Sequence, residues 1–334
     1  MRLPEERGPL TGAVRRLLLE DSPSWIADHQ LVEHVVAHTA APLTDLDFQL
    51  ALTCCYELHY RGFSDVDDIW EWSPQVVMVQ SLLEQRLEAA LRDVVCPTRK
   101  DAHAIPVHEA LRTMVAADAR PSLSAFLLKS ATAEHFRQFL VQRSMYNLKE
   151  ADPHTWQIPR LAGAAKAALV AIQSDEYGNG RESHMHANMF GQSMRVLGLD
   201  ETYGAYWADA LPETHASVNV MSLFGLHRRH RGALVGHLAA LEMTSTEPNR
   251  RYGNGLRRLG FGPDATAYFD EHVEADAVHE QIAAVDMCGA LVRAEPALYE
   301  QVLWGAAACL YLDQAVGAAL LRRWDAVPSL GAAP

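Results

Sequence analysis

The chain has 334 residues, 49% apolar and 21% charged, a composition that excludes a disordered or fibrous protein and allows a substantial buried core. A formal charge of −13 with a pI near 5.6 excludes general attraction to nucleic acid or anionic membrane, because both need clustered Lys and Arg. The five cysteines show no C-x-x-C spacing, and an odd number cannot close into a full intramolecular disulfide set, so a reducing cytoplasm is the expected compartment.

In chain order, the first eight residues carry no apolar core of signal-peptide length, and export is not expected. Leu31, Val35 and Val36, then Val76, Val79, Leu82, Leu83 and Leu87, recur at helical spacing. Breaks fall at Trp72-Ser73-Pro74, Cys96 to Asp101 and Arg120-Pro121. We read residues 1–120 as an N-terminal helical region and 121–328 as a second one. Glu57, His59, Trp70 and Trp72 carry no recognisable chemistry. Residues 1–120 are expected to cover the second region, wall its pocket or mediate homodimerisation.

Phe136, Leu140, Met145 and Leu148 predict a helix whose run from Arg143 ends at Glu150, followed by Ala-Asp-Pro-His. Ala165, Leu169 and Ile172 predict another, leading into Glu176-Tyr-Gly-Asn-Gly-Arg. The two glycines there mark an unwound turn that would let Glu176 and His186 reach one metal, which a straight helix would forbid. A glycine cap beside a surface acid is the plain alternative. The basic run His227 to Arg231 reads as a solvated helix end. Glu242 interrupts an apolar helix, where a buried acid needs a partner.

His272-Val-Glu-Ala-Asp276-Ala-Val-His279 contains no Gly or Pro and reads as helix. At roughly 100° per residue, offsets of four and seven fall within about 40° of the first position, so two imidazoles and a carboxylate share one face. That set suits iron, manganese or zinc; an exposed charged face fits the same pattern. Confirmation requires acids on other helices, which Glu150, Glu176 and Glu242 could supply. His184, His227, His230 and His237 read as surface or packing residues. The apolar run Ala306 to Leu321 is broken by Asp313 and Gln314, so no membrane span is expected. An all-α fold follows.

Together, Glu150-Ala-Asp-Pro-His, Glu176-Tyr-Gly-Asn-Gly-Arg, Met185-His186, Glu242 and His272-x3-Asp276-x2-His279 resemble the haem-oxygenase-like diiron oxidases and oxygenases, or iron-containing redox enzymes, over about residues 130–325. The resemblance implies a haem-oxygenase-like helical bundle in which Glu150, Glu176, His186, Glu242, His272, Asp276 and His279 surround two non-haem Fe2+ ions, with O2 as cosubstrate. It implies an extra acid ligand before His186, either Glu176 or Glu182, and bridging acids for which we choose Glu150 and Asp276. Four carboxylates balance two ferrous ions, whereas without metal the buried acids would repel at a cost of several kcal/mol each.

The activity implied is O2-dependent oxidation of a small amine or amino-acid-like metabolite, such as N-oxygenation, in a biosynthetic pathway. Alternatives are oxidative C–C cleavage, decarboxylation or desaturation of an aliphatic or amino acid, which would need an elongated apolar cavity and a basic residue, or non-catalytic iron binding. The expected partners are a small-molecule substrate and an external electron donor, with no nucleic acid and no membrane.

Overall fold

The computed structural model describes residues 1–19, 25–95, 105–117 and 122–326, with the side chains of residues 276 and 277 excluded. Cys96 and the boundary expected near residue 120 lie outside the described residues. Within them there is no strand; helix follows helix throughout.

The N-terminal region comprises α1 (Pro9–Leu19), α2 (Trp25–His38), α3 (Leu46–Glu57) and α4 (Pro74–Val94). Asp45 caps α3 by accepting the Phe48 N–H, and Pro74 opens α4 where no intrahelical N–H is required. After α5 (Val107–Ala116) and α6 (Leu123–Lys129) comes α7 (Ala133–Asn147), started by a capping box between Thr132 and His135. α7 stops three residues short of the end expected at Glu150. Ala151 takes φ +73°, a left-handed conformation that cannot continue a right-handed helix, and a single turn, α8 (Asp152–Thr155), follows.

α9 (Gly163–Glu176), α10 (His186–Val196), α11 (Pro212–Leu226), α12 (Arg231–Arg258) and α13 (Pro263–Gln281) follow. α13 runs through a π-helical stretch, Ile282–Cys288, into α14 (Gly289–Ala294), and α15 (Tyr299–Arg323) closes the order.

α12 and α15 form the axis of the protein. Both contribute side chains to each of three apolar clusters. The first joins α1 to α4 with α11, Leu234, Trp304 and Leu312. The second joins α5 and α9 with Leu238, Met287 and Val302, and the third joins α7, α10 and α13 with Leu256 and Leu320. The axis is tight because a Cβ on Gly305 would lie 1.8 Å from the Ala233 carbonyl oxygen. By length and composition α15 could cross a membrane, but most of its apolar stretch is buried inside the protein. The N-terminal helices thus share a core with helices from the second region.

Candidate metal centre

Six of the seven acids and histidines read from the sequence converge between α7, α9, α10, α12 and α13. His272 and His279 lie on α13, and both are buried. Glu242 is the buried acid inside α12, Glu176 is the last residue of α9, and His186 is the first of α10. Glu150 sits in the turn between α7 and α8. The side chain of Asp276 lies outside the described residues.

Donor atoms of Glu150, Glu176, His186 and His272 lie within 4.8 Å of one another, and so do those of Glu176, Glu242 and His279. Glu176 belongs to both groups. Glu150, chosen from the sequence as a bridging acid together with Asp276, lies in the first group alone, and the turn after α9 places the Glu176 carboxylate between the two sets. His186 Nδ1 is 2.9 Å from Glu176 Oε2, while Glu182 is exposed, so Glu176 is the acid beside that histidine.

The turn has a local cause. Gly178, Asn179 and Gly180 all have positive φ, and a Cβ on Gly178 would sit 2.5 Å from the His184 carbonyl carbon. Only glycine lets this segment fold back so that α10 starts beside the end of α9.

Glu150, His272 and His279 are oriented from behind. The Tyr268 hydroxyl lies 2.9 Å from both Glu150 oxygens, and Asn147 Nδ2 donates to Oε1 at 3.2 Å. His272 Nδ1 donates to the Tyr268 carbonyl at 2.8 Å, leaving Nε2 to face Glu150 Oε1 at 3.6 Å. His279 Nε2 meets Asp175 Oδ2 at 3.0 Å, so its Nδ1 faces Glu242 at 3.5 Å and Glu176 at 3.9 Å. Such outer partners fix the imidazole tautomer and the direction of the free lone pair.

The electrostatics fit a cation. Among the described residues, the ion-pair partners of Glu150, Glu176 and Glu242 are histidines. Burial pushes the Glu242 carboxyl up, and the Glu176 charge adds to it against the pull of His279. For His279 burial acts downward, but Glu242, Asp175 and Glu176 outweigh it and push the imidazole up to about 9. Burial also opposes the charge on His186, and Glu176 overcomes it, raising its pKa. The buried His186 Nδ1 has close contact with Glu176 but no aligned hydrogen bond, as two donors aimed at a common point would have. Three imidazoles and three carboxylates are a donor set suited to iron.

A cavity of about 360 Å³ adjoins Glu150, Glu176, Glu242 and His272. Phe139, Phe190, Leu238 and Leu241 contribute apolar wall, and Arg143, Arg251 and Asp313 contribute charge. Arg143 Nη2 donates to Asp313 at 2.8 Å. Pro248, inside α12, also lines it; proline leaves the Thr244 carbonyl without its helical donor at this point.

A family model described as iron-containing redox enzyme matches residues 137–314, more than half of the chain. The chain belongs to this family of iron-containing redox enzymes. Its all-α architecture is the haem-oxygenase-like bundle with an additional N-terminal helical region. A nitrosourea synthase from Streptomyces achromogenes subsp. streptozoticus is 26% identical over 186 residues, covering 56% of this chain and 40% of that protein. The chain thus spans less than half of that relative's length.

Within this iron-containing redox enzyme, sequence reasoning missed Tyr268, Asn147 and Asp175. Tyr268 and Asn147 lie one helical turn before His272 and Glu150, a spacing that could have drawn attention to them. Asp175 is side by side with Glu176 and reads as a surface acid. Tyr177 packs beside the centre, donating to Asp152 at 2.8 Å. His184 is exposed, and His227 pairs with Glu84 at the edge. His230 is buried against Glu88, and His237 against His154, all four outside the ligand groups.

Proposed function

We propose that this chain is a non-haem diiron oxygenase that oxidises a nitrogen of a small amine or amino-acid-like metabolite. The observation that carries the reading is Glu176, whose carboxylate belongs to two adjoining buried donor groups, as a carboxylate between two metal ions would. When bound, two ferrous ions would supply electrons and a binding site for O2. His186 and His272 with Glu150 would hold one ion, and His279 with Glu242 the other. Asp175 and Tyr268 fix the direction of His279 and Glu150.

Nitrogen as the target is supported by the similarity to nitrosourea synthase. The cavity is compatible with a substrate carrying both charges: its lining holds the paired Arg143 and Asp313 and also Arg251, beside apolar side chains and the acids Glu150, Glu176 and Glu242. In N-hydroxylation one oxygen atom enters the N–H bond and the other leaves as water. Two electrons from an external donor and two protons complete the balance.

Anaerobic loading with ferrous iron, metal counting and O2 consumption with amino acids, guanidines and fatty acids test this reading. About two irons per chain, lost in Glu150→Ala and His279→Ala, and a product heavier by one oxygen on nitrogen are expected. Iron binding indifferent to both substitutions would sink the ligand set, and turnover confined to fatty acids would sink the substrate class.

A further inference from the structure

Lys149, adjacent to Glu150, is a buried amine that belongs to neither donor group. It is 3% exposed, its Nζ lies 3.6 Å from Glu57 Oε2, and it sits 4.0 Å above the Tyr60 ring. Glu57 is 1% exposed and accepts from the Tyr203 hydroxyl at 2.7 Å. Arg61 stacks 4.4 Å from the Tyr203 ring centroid and donates to the Leu148 carbonyl at 3.2 Å. Glu57, Tyr60 and Arg61 belong to the end of α3 and the turn after it, more than 70 residues before the family match begins at residue 137.

The gripped segment is a turn between two helices. Leu148 to Ala151 joins α7 to α8, and its last residue is the left-handed Ala151, whose carbonyl is held by Gln173 Nε2 at 2.9 Å. Lys149 reaches toward α3 while Glu150 reaches toward Tyr268 on α13. A contact that fixes Lys149 therefore fixes the backbone from which Glu150 projects.

We infer that Glu57, Lys149 and Arg61 are positioning residues for Glu150, so that the end of α3 is part of the scaffold of the metal centre and not only its cover. This rests on the reading of Glu150 as a metal ligand. Removing one charge of the pair would leave the other buried and unpaired, which threatens folding, whereas removing both is often tolerated. The decisive variant is thus the double substitution E57Q/K149M in the full chain, titrated anaerobically with Co2+ while the ligand-field absorption is followed, with E150A as the reference for a lost ligand. Thermal unfolding of the metal-free proteins serves as the control for folding.

The expected result is a folded double variant that binds its weaker Co2+ about 10- to 100-fold less tightly than the parent, the usual effect of losing an outer partner. Its ligand-field band should shift toward that of E150A, and K149R alone should restore much of the affinity. R61M, at a half-exposed site, should move the band in the same direction, and it decides the matter alone if the double variant does not fold. Unchanged affinity and spectrum in the folded variants, with E150A impaired, would overturn the inference. An E150A protein that binds Co2+ like the parent would overturn the ligand reading itself.

Discussion

At the scale of single residues, the centre is three buried acids and three imidazoles, and for Glu150, His272 and His279 outer contacts decide where the lone pairs point. Tyr268 is the plainest case, because its hydroxyl is within reach of both Glu150 oxygens and of Asn147. Tyr268→Phe removes the donor to Glu150 and the acceptor for Asn147 Nδ2 while keeping the ring, and should lower metal affinity about tenfold. The stability cost should be about 1–2 kcal/mol. Metal titration beside urea unfolding checks both; unaltered affinity would mean that Glu150 is held without the tyrosine.

His279 makes the same centre sensitive to pH. Without metal it keeps its proton up to about 9, against an ordinary value near 6.5, through Glu242, Asp175 and Glu176 acting against burial. Its contribution to the stability of the metal-free fold is present in full below about 6.5 and is lost as pH rises through about 9. A metal ion has to displace that proton. Mn2+ affinity should therefore rise steadily between pH 6.5 and 8.5, with proton release seen as a dependence of the heat of binding on buffer. An affinity flat across that interval would contradict the assignment of His279 as a ligand.

How much of the site was legible also turns on residues. His272 and His279 could be read from a single helix, and Glu242 from being an acid in an apolar run. Glu176 and His186 needed the glycines between them. Asp175 and Tyr268 could not be picked out, because a surface-looking acid and a core-spaced aromatic acquire meaning only when other helices arrive. Glu57 and Lys149, 92 residues apart, meet only in the folded chain.

At the scale of elements, the junction of α9 and α10 carries the most consequence. Gly178 is pressed against the backbone of His184 and has φ +62°, so a side chain there meets both a steric and a conformational barrier. Gly178→Ala should cost about 1–3 kcal/mol and should loosen the approach of His186 to Glu176. Hydrogen exchange of residues 176–186 is expected to quicken in the variant, and addition of metal should protect this segment in the parent more than in the variant. Equal protection in both would show that the turn tolerates a Cβ. The helices themselves were readable from apolar spacing, but the stop of α7 before Glu150 was not, since Ala151 gives no sign of adopting a positive φ.

At the scale of the molecule, the N-terminal helices and the metal-bearing bundle are joined by polar ties as well as by a shared core. Glu88 on α4 accepts from Arg229 and His230 just before α12 and from Arg92 on its own helix. Burial alone would raise its pKa, but the hydrogen bonds from His230, Arg229 and Arg92 outweigh burial and hold the carboxyl well below the usual range. That tie contributes stability above the unfolded carboxylate value near 4.3 and is lost as pH falls toward the folded value. Glu88→Gln should cost about 1 kcal/mol at pH 7 and less at pH 3, compared by urea midpoints. An equal loss at both would place the effect in packing. The division at residue 120 read from punctuation could not reveal this sharing, because apolar spacing within a helix says nothing about which distant helix will cover it.

The shared core also has a consequence in time. Leu10, Phe48 and Leu83 belong to a cluster that is completed only by α11 and then by Trp304 and Leu312 of α15, more than 200 residues after α4 ends. At translation rates of about 5–20 residues per second, α4 waits roughly 10–40 s for that last neighbour to be synthesised. During that interval the apolar faces of a half-made chain are open to the ribosome's surroundings, and it is there that this protein most needs a chaperone.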